Sequence, residues 1–344
     1  MTSSNGSMAI WCTKLNSDAV PSFEAHLNYW RVAGLGLRRK DLNPVDFLEV
    51  GILLSGAESI ENINIYVPFK IEAKAIIDLG ARFSQNDIAQ GIFNEILTSS
   101  QVGNGRSWIE LANQDRKLYC RVHVFAISEG KIDQSELAAT HECGGTLIKI
   151  LRPSLVASIR ELANDEKIYF RIRIPAGTKY ESPFVKVITP KDWFFQSGFD
   201  EIEYVDFRLN ESRTLPDRID RLLMADKAKG NVPLKTVAFL TAVQVRAELS
   251  VSNTAFHKNR LLEDNPWNHY APHPLPKGMM VYHWRKLTPN TDQIESFTAF
   301  VKLLTRHTGR KTIIIYMLIA FLFGILGNLA AAYLQSKIGW PSPP

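Results

Sequence analysis

Cysteine is scarce in this 344-residue chain: Cys12, Cys120 and Cys143 are odd in number and far apart. Such a set excludes a disulfide framework and fits free thiols in a reducing compartment. The opening MTSSNGSMAIWCTKL has no basic stretch leading into an apolar run, so no secretory signal is expected. Residues 1–7 read as a flexible polar leader. Acidic residues are missing from Lys302 onward, where five basic ones stand: Lys302, Arg306, Arg310, Lys311 and Lys337. Forty basic residues less these five leave 35, against 35 acidic residues in the whole chain. Residues 1–301 are therefore neutral overall, which argues against a nucleic-acid partner.

Catalytic and cofactor signatures are also missing. VGNGRS (102–107) and AGLGLRR (33–39) lack the Lys-Ser/Thr of a phosphate loop and the third glycine of a dinucleotide fold. They read as turns. Neither G-x-S-x-G nor H-E-x-x-H occurs. HECGG (141–145) offers one His-x-Cys beside glycines, too sparse for a zinc site, and reads as a turn. His269 and His273 in HYAPHPLP, with His283 beyond, lack an acidic or thiolate companion and read as an exposed loop and the following strand. Glu72-x-Lys74 with Asp46 upstream is a carboxylate–lysine set of the kind metal-dependent nucleases use, but neutral charge argues against DNA as substrate. No cofactor, no metal and no catalytic residue is assigned.

What the chain does contain is alternation. NINIYVPFKI sets Ile63, Ile65, Val67, Phe69 and Ile71 against Asn64, Tyr66, Pro68 and Lys70. KIYFRIRI sets Ile168, Phe170, Ile172 and Ile174 against Tyr169, Arg171 and Arg173. FLEVGILL, LYCRVHVFAI and LKTVAFLTAVQVRAELSV follow suit. Period-two patterns with one polar face predict antiparallel strands with a wetted side. Helical spacing is rarer: Ile88, Ile92, Phe93, Ile96 and Leu97 after Ser84…Asp87; Leu155, Ile159 and Leu162 after Pro153; and TLPDRIDRLLMADKAKG, stopped by Gly230. DQIESFTAFVKLLTR aligns Ile294, Phe297, Val301 and Leu304 as a further helix.

The expected fold is mainly β (α+β), with antiparallel sheets in two sandwich-like modules, a few helices and one C-terminal transmembrane helix. The modules are residues 8–147 and 148–290, suggested by the likeness of IYVPFKI (65–71) to EYVDFRL (203–209). An amphipathic juxtamembrane helix at 291–308, the membrane span at 312–334 and an external tail at 335–344 complete the chain.

Thr312 to Leu334 carries no charge over 23 residues, about 34 Å as a helix against a hydrocarbon core of about 30 Å. Tyr316, Tyr333 and Trp340 stand where interfacial aromatics belong. Four cations precede the span and one follows, so the large N-terminal part is expected in the cytoplasm, tail-anchored. Lys302, Arg306, Arg310 and Lys311 are the expected membrane-surface contacts. Ala320, Gly324, Asn328 and Ala332 recur every fourth position with Gly327 alongside, a face suited to helix–helix approach.

Aromatics supply the remaining signal. Trp193 and Phe195 in PKDWFFQSGF, and Trp267 and Tyr270 in NPWNHYAPH, are the expected ligand- or partner-binding residues. The expected function is a tail-anchored membrane protein whose cytoplasmic domain binds a protein or small-molecule signal. Its partners are the lipid bilayer, further copies of itself and that ligand. Two other classes fit the same residues: a membrane-disrupting effector activated by clustering, and a membrane-tethered enzyme whose site carries no known motif.

Overall fold

The computed structural model describes residues 7–15, 19–33, 45–100, 107–160, 162, 166–178, 181–188, 200–253, 257–272, 275, 278–288, 292–306 and 310–338. Along the chain, strands β1 (Ser7–Lys14), β2 (Ser22–Trp30), β3 (Asp46–Ser55), β4 (Ile60–Val67) and β5 (Ile77–Asp78) precede helix α1 (Asn86–Phe93). Seven strands follow: β6 (Thr98–Ser99), β7 (Trp108–Ala112), β8 (Leu118–His123), β9 (Ile127–Ser128), β10 (Lys131–Ile132), β11 (Leu137–Glu142) and β12 (Gly145–Ile150). Helix α2 (Arg152–Ile159) leads to β13 (Ile168–Gly177), β14 (Val185–Ile188) and β15 (Asp200–Leu209). Helix α3 (Asp217–Lys229) leads to β16 (Leu234–Gln244), β17 (Ala247–Ser252) and β18 (Lys258–Leu261). The chain ends with α4 (Asp264–Tyr270), β19 (Met279–Leu287), β20 (Phe297–Arg306) and α5 (Arg310–Ile338).

Strands take up 47% of the chain, so the mainly β reading holds. One sheet has eight strands in the order β11-β12-β4-β1-β15-β20-β17, with β14 beside β15; the other has ten, β18-β19-β16-β2-β3-β13-β8-β7-β6, with β5 on β13. Met8, Ile10, Ile65 and Phe207 of the first sheet and Leu27, Val50, Phe170 and Phe239 of the second meet in one buried apolar cluster. The alternation read from the sequence is what supplies these inward faces, since successive strand residues point to opposite sides. On the far side of the eight-stranded sheet, Ile219 and Leu223 of α3 cover Ala9, Trp11, Tyr66 and Leu147.

Among the described pairings, β1 with β15, β2 with β16 and β8 with β13 are parallel rather than antiparallel. Their partners lie far apart in sequence, where no hairpin enforces the antiparallel sense. The boundary expected at residues 147–148 falls inside β12, and strands from both sides of it are neighbours in both sheets. The helix expected at 291–308 is a correction: Phe297–Arg306 is strand β20. Phe297, Ala299, Val301 and Leu303 are buried in alternation, so a period-two reading of the same apolar residues wins once a sheet position between β15 and β17 is open to them. Similarly, α1 starts after Gln85 with no side-chain cap, rather than at the Ser84…Asp87 signal.

The chain divides into two compact units, residues 1–187 with 203–303, and residues 188–202 with 304–344. The second contains α5, in which Ile314–Lys337 is long and apolar enough to cross a membrane, with mean hydropathy 2.2. None of that span is buried. Phe321, Phe323, Leu326 and Leu329 each expose more than half their surface, an arrangement suited to lipid rather than water. This fits a single-pass membrane protein.

Candidate functional site

The outer face of the ten-stranded sheet departs most from expectation. Register across β19, β16, β2, β3 and β13 lines up Arg285, Ala238, His26, Gly51 and Arg171 in one row. The next row is His283, Leu240, Asn28, Glu49 and Arg173, extended by Lys258 of β18. Cross-strand neighbours on one face touch, so the polar residues of KIYFRIRI meet the lone glutamate and glycine of FLEVGILL.

That polar face is not wetted at its centre. Glu49 and Arg171 are fully buried and Arg173 nearly so. Arg171 Nη2 donates to Glu49 Oε2 at 2.6 Å, while Arg173 Nη2 and Nε donate to Oε1 at 2.7 and 3.0 Å. The Tyr270 hydroxyl donates to Oε2 at 2.9 Å and accepts from Arg171 Nε at 2.9 Å. Arg171 Nη1 reaches the Tyr169 hydroxyl at 2.9 Å. With its amide oriented to satisfy both neighbours, Asn28 accepts from Arg171 Nη2 at 2.7 Å. Two guanidinium groups thus share one carboxylate and leave one positive charge over. Full hydrogen bonding is what makes such a layer tolerable away from water.

Gly51 is the residue that lets the layer close. A Cβ there would lie 2.0 Å from the Tyr169 hydroxyl oxygen and 3.1 Å from Arg171 Nη1. Gly51→Ala should therefore cost about 1–3 kcal/mol by overpacking, read by denaturant unfolding. Adding Tyr169→Phe should return part of it, because the oxygen struck first is gone.

Beside this layer the same face opens into a cleft of about 210 Å³. Its floor is Glu24, His26 and Asn28 of β2 with Ala238 of β16 and His283 and Arg285 of β19. One wall is α1 from Gly91 to Phe93, continued by Asn94 and Glu95 just past its end, and Trp267 of α4 lines it too. Gly91 allows α4 to seat, since a Cβ there would lie 2.7 Å from Trp267 Cζ2. Trp30 stacks on Phe47 with ring centres 5.4 Å apart and leans on Trp267 at 5.8 Å. Lys258 and Arg260 of β18 stand at the rim. Two polar atoms in this lining, His26 Nδ1 and Trp30 Nε1, are buried without a hydrogen-bond partner.

Electrostatics keep the imidazoles neutral. Burial, then the neighbouring His257 and Arg285, pushes His283 down to about 4. Burial also holds His26 below its ordinary value, outweighing Glu24, whose Oε2 lies 3.9 Å from Nε2. Lys258 and Arg285 have no carboxylate partner among the described residues, whereas Arg260 pairs with Glu263 at 3.1 Å.

The expected binding residues divide. Trp193 and Phe195 lie outside the described residues. Trp267 lines the cleft and is almost wholly buried, and Tyr270 is buried in the charge layer rather than presented to a partner. Among the expected membrane-surface residues, Lys302 is partly exposed on β20; the side chains of Arg306, Arg310 and Lys311 lie outside what is described. Ala320, Gly324, Gly327, Asn328 and Ala332 are exposed on α5. His269 is exposed as expected, but on helix α4 rather than in a loop, and HECGG forms the β11–β12 turn with Cys143 and Gly144 at positive φ. Asp46 is committed elsewhere, bonded to Arg31 at 2.7 Å and to Tyr29 at 2.6 Å, away from an exposed Glu72. No group of three metal-ligating side chains occurs among the described residues.

One cluster has the composition of a hydrolytic triad. Ser158 Oγ lies 2.8 Å from His123 Nδ1, and His123 Nε2 lies 3.2 Å from Glu136. Ser158 and His123 are fully buried, and the hydroxyl also bonds the Ser154 carbonyl at 2.9 Å. A nucleophile must be reachable by its substrate, so this cluster holds α2 to β8.

The sequence reading missed His26, His283, Arg285 and Lys258 as a group. One signal was available for the layer beneath them: a single charge, Glu49, inside an otherwise apolar strand, and two arginines at matching spacing in another. No family model matches the chain, and no curated protein matches it significantly.

Proposed function

We propose that this is a single-pass membrane receptor whose two-sheet domain binds a small-molecule signal in the cleft over β2, β16 and β19. The observation that carries this reading is the cleft itself, with an aromatic wall and convergent polar groups, two of them buried and unpartnered. Native polar groups are seldom left so, because an unmet buried donor costs about 1–3 kcal/mol; a ligand that supplies the missing partners recovers it. Concave sites with a few convergent polar groups are where small ligands bind.

The helix does more than hold the domain at the bilayer in this reading. Lys302, Arg306, Arg310 and Lys311 keep the binding domain cytoplasmic, against Lys337 on the far side. Ala320, Gly324, Gly327, Asn328 and Ala332 bring the helices of several copies together, where a built Cβ at Gly324 or Gly327 meets nothing in the monomer. Ligand capture and helix association then act on one molecule.

Two variants of the full chain test this in detergent or nanodiscs. Ala238→Trp fills the floor without touching the inner core; it should abolish the rise in melting temperature that a small-molecule extract of the producing cells gives the parent. Gly324→Leu should weaken self-association, because the small residue that lets the helix backbones approach is gone, with the domain still folded. Equal protection of Ala238→Trp would remove the cleft from the mechanism. Unchanged oligomerisation of Gly324→Leu would make the helix an anchor alone.

A further inference from the structure

The cleft is lopsided in a way that specifies its occupant. One side is flat and apolar: Trp30, Trp267 and Phe93 line it, and Trp30 and Trp267 are buried beneath the surface. The other side is cationic. Lys258 and Arg260 are two residues apart on β18, hence on one face about 7 Å apart. Lys258 pairs across the ladder with His283, which places Arg285 diagonally beside it, within reach for long side chains. All three are exposed at the rim.

Charge balance does not favour leaving this rim empty. Lys258 and Arg285 have no carboxylate partner among the described residues, and the layer beneath adds the unbalanced charge of Arg171 and Arg173 over Glu49. Glu24 is shared with Lys167 at 3.8 Å, and Glu95 is the other carboxylate in the lining. Arg260 is already matched by Glu263, so the two unpaired cations, Lys258 and Arg285, are what call for a group carrying more than one negative charge. A phosphate monoester, with about −1.5 to −2 at neutral pH and three acceptor oxygens, matches that need, and guanidinium groups match its geometry.

Size narrows the choice. About 210 Å³ is below the roughly 300–1,000 Å³ of pockets that enclose a drug-sized ligand. A flat ring fits inside, while the charged end remains at the exposed rim.

Building on the reading of the cleft as a ligand site, we propose that it binds a mononucleotide-class ligand, a flat ring bearing one phosphate. The ring lies along Trp30, Trp267 and Phe93, and the phosphate is held by Lys258 and Arg285. The unpartnered N–H of Trp30 and Nδ1 of His26 are the groups available to read polar edges of the ring. Aromatic faces accept any base, so the wall sets the class and these two atoms set the preference.

Calorimetry on the full-length protein in nanodiscs tests this with AMP, GMP, CMP and UMP, and with adenosine and inorganic phosphate as the two halves. At least one mononucleotide should bind tenfold or more tightly than its nucleoside and than phosphate. Lys258→Gln with Arg285→Gln should lose that advantage at an unchanged melting temperature, and Ala238→Trp should lose binding altogether. Mononucleotides that bind no better than nucleosides, or equally well to the double variant, overturn the proposal. If the mononucleotides fail while the cell extract still protects the parent but not Ala238→Trp, the phosphate class is wrong and the cleft reading survives. If the extract fails as well, both fall.

Discussion

Glu49→Ala should lower the unfolding free energy of the domain by about 3–5 kcal/mol, the usual cost of stripping one partner from a buried ion pair. Glu49 accepts from Arg171, Arg173 and Tyr270 in a layer closed to water. Its loss leaves two guanidinium groups, one fully buried and one nearly so, without an anion. Guanidinium cannot escape by losing its proton, so the charge stays and the structure yields. Urea unfolding of the full-length protein, followed by tryptophan fluorescence, measures the loss. Replacing Glu49, Arg171 and Arg173 together by Leu, Met and Leu should recover most of it, because a dry apolar layer of similar volume is about as stable as a satisfied ionic one. A cost below about 1 kcal/mol for Glu49→Ala would mean that water reaches the layer.

The same carboxylate gives the domain an acid limit. Burial alone would push Glu49 up, but Arg173 and then Arg171 outweigh it and hold the group below the usual carboxylate range. A folded value below the unfolded one gives stability that is fully present above the unfolded value of about 4.3 and lost as pH falls through the folded value. Glu49→Ala should flatten that part of the acid profile.

How much of this could be read from the residues depends on which face of a strand is concerned. The inward faces were legible: Ile168, Phe170, Ile172 and Ile174 alternate, and all four are buried in the central cluster. The outward face of the same strand was not. Arg171 and Arg173 announce a wetted surface by their type, yet α4, contributing Tyr270, and the neighbouring strands close over them. Whether a charged face is wet depends on what packs there from elsewhere in the chain, and local periodicity carries no such information. The cleft suffers from the same limit. His26 comes from β2, while Lys258, His283 and Arg285 come from β18 and β19 more than two hundred residues later, and only register joins them. Strand β20 failed for a different reason: Ile294, Phe297 and Val301 satisfy helical spacing while Phe297, Ala299 and Val301 satisfy strand spacing, and tertiary pairing decides between them. The membrane helix was legible because its signal, an uncharged apolar run, is wholly local.

His283 should report occupancy of the cleft directly. In the empty protein its imidazole should stay neutral down to about pH 4, held there by burial first and then by His257, Arg285, His26 and Lys258. The groups around it are those of three elements: Lys258 and, just before β18, His257; Arg285 on its own strand β19; and His26 with Glu24 on β2. Strand β16 presents Thr236, Ala238 and Leu240 there, none of them charged, and Glu95 just past α1 stands on the far wall. Apart from those two carboxylates and Glu263, which pairs with Arg260, the charges nearby are positive or become so on protonation. Because the folded value lies below the ordinary 6.5, His283 makes the empty protein lose stability as pH falls from about 6.5 towards 4. A phosphate held by Lys258 and Arg285 reverses the balance: it offsets the cations that oppose the imidazolium and favours the charged form. Saturating AMP should therefore raise the His283 titration midpoint by more than one pH unit, a coupling above about 1.4 kcal/mol, seen in the imidazole carbon resonances of histidine-labelled protein. Adenosine should leave the midpoint in place, since it brings the ring without the charge. A midpoint unmoved by bound AMP would set the phosphate away from β18 and β19, whatever the affinity.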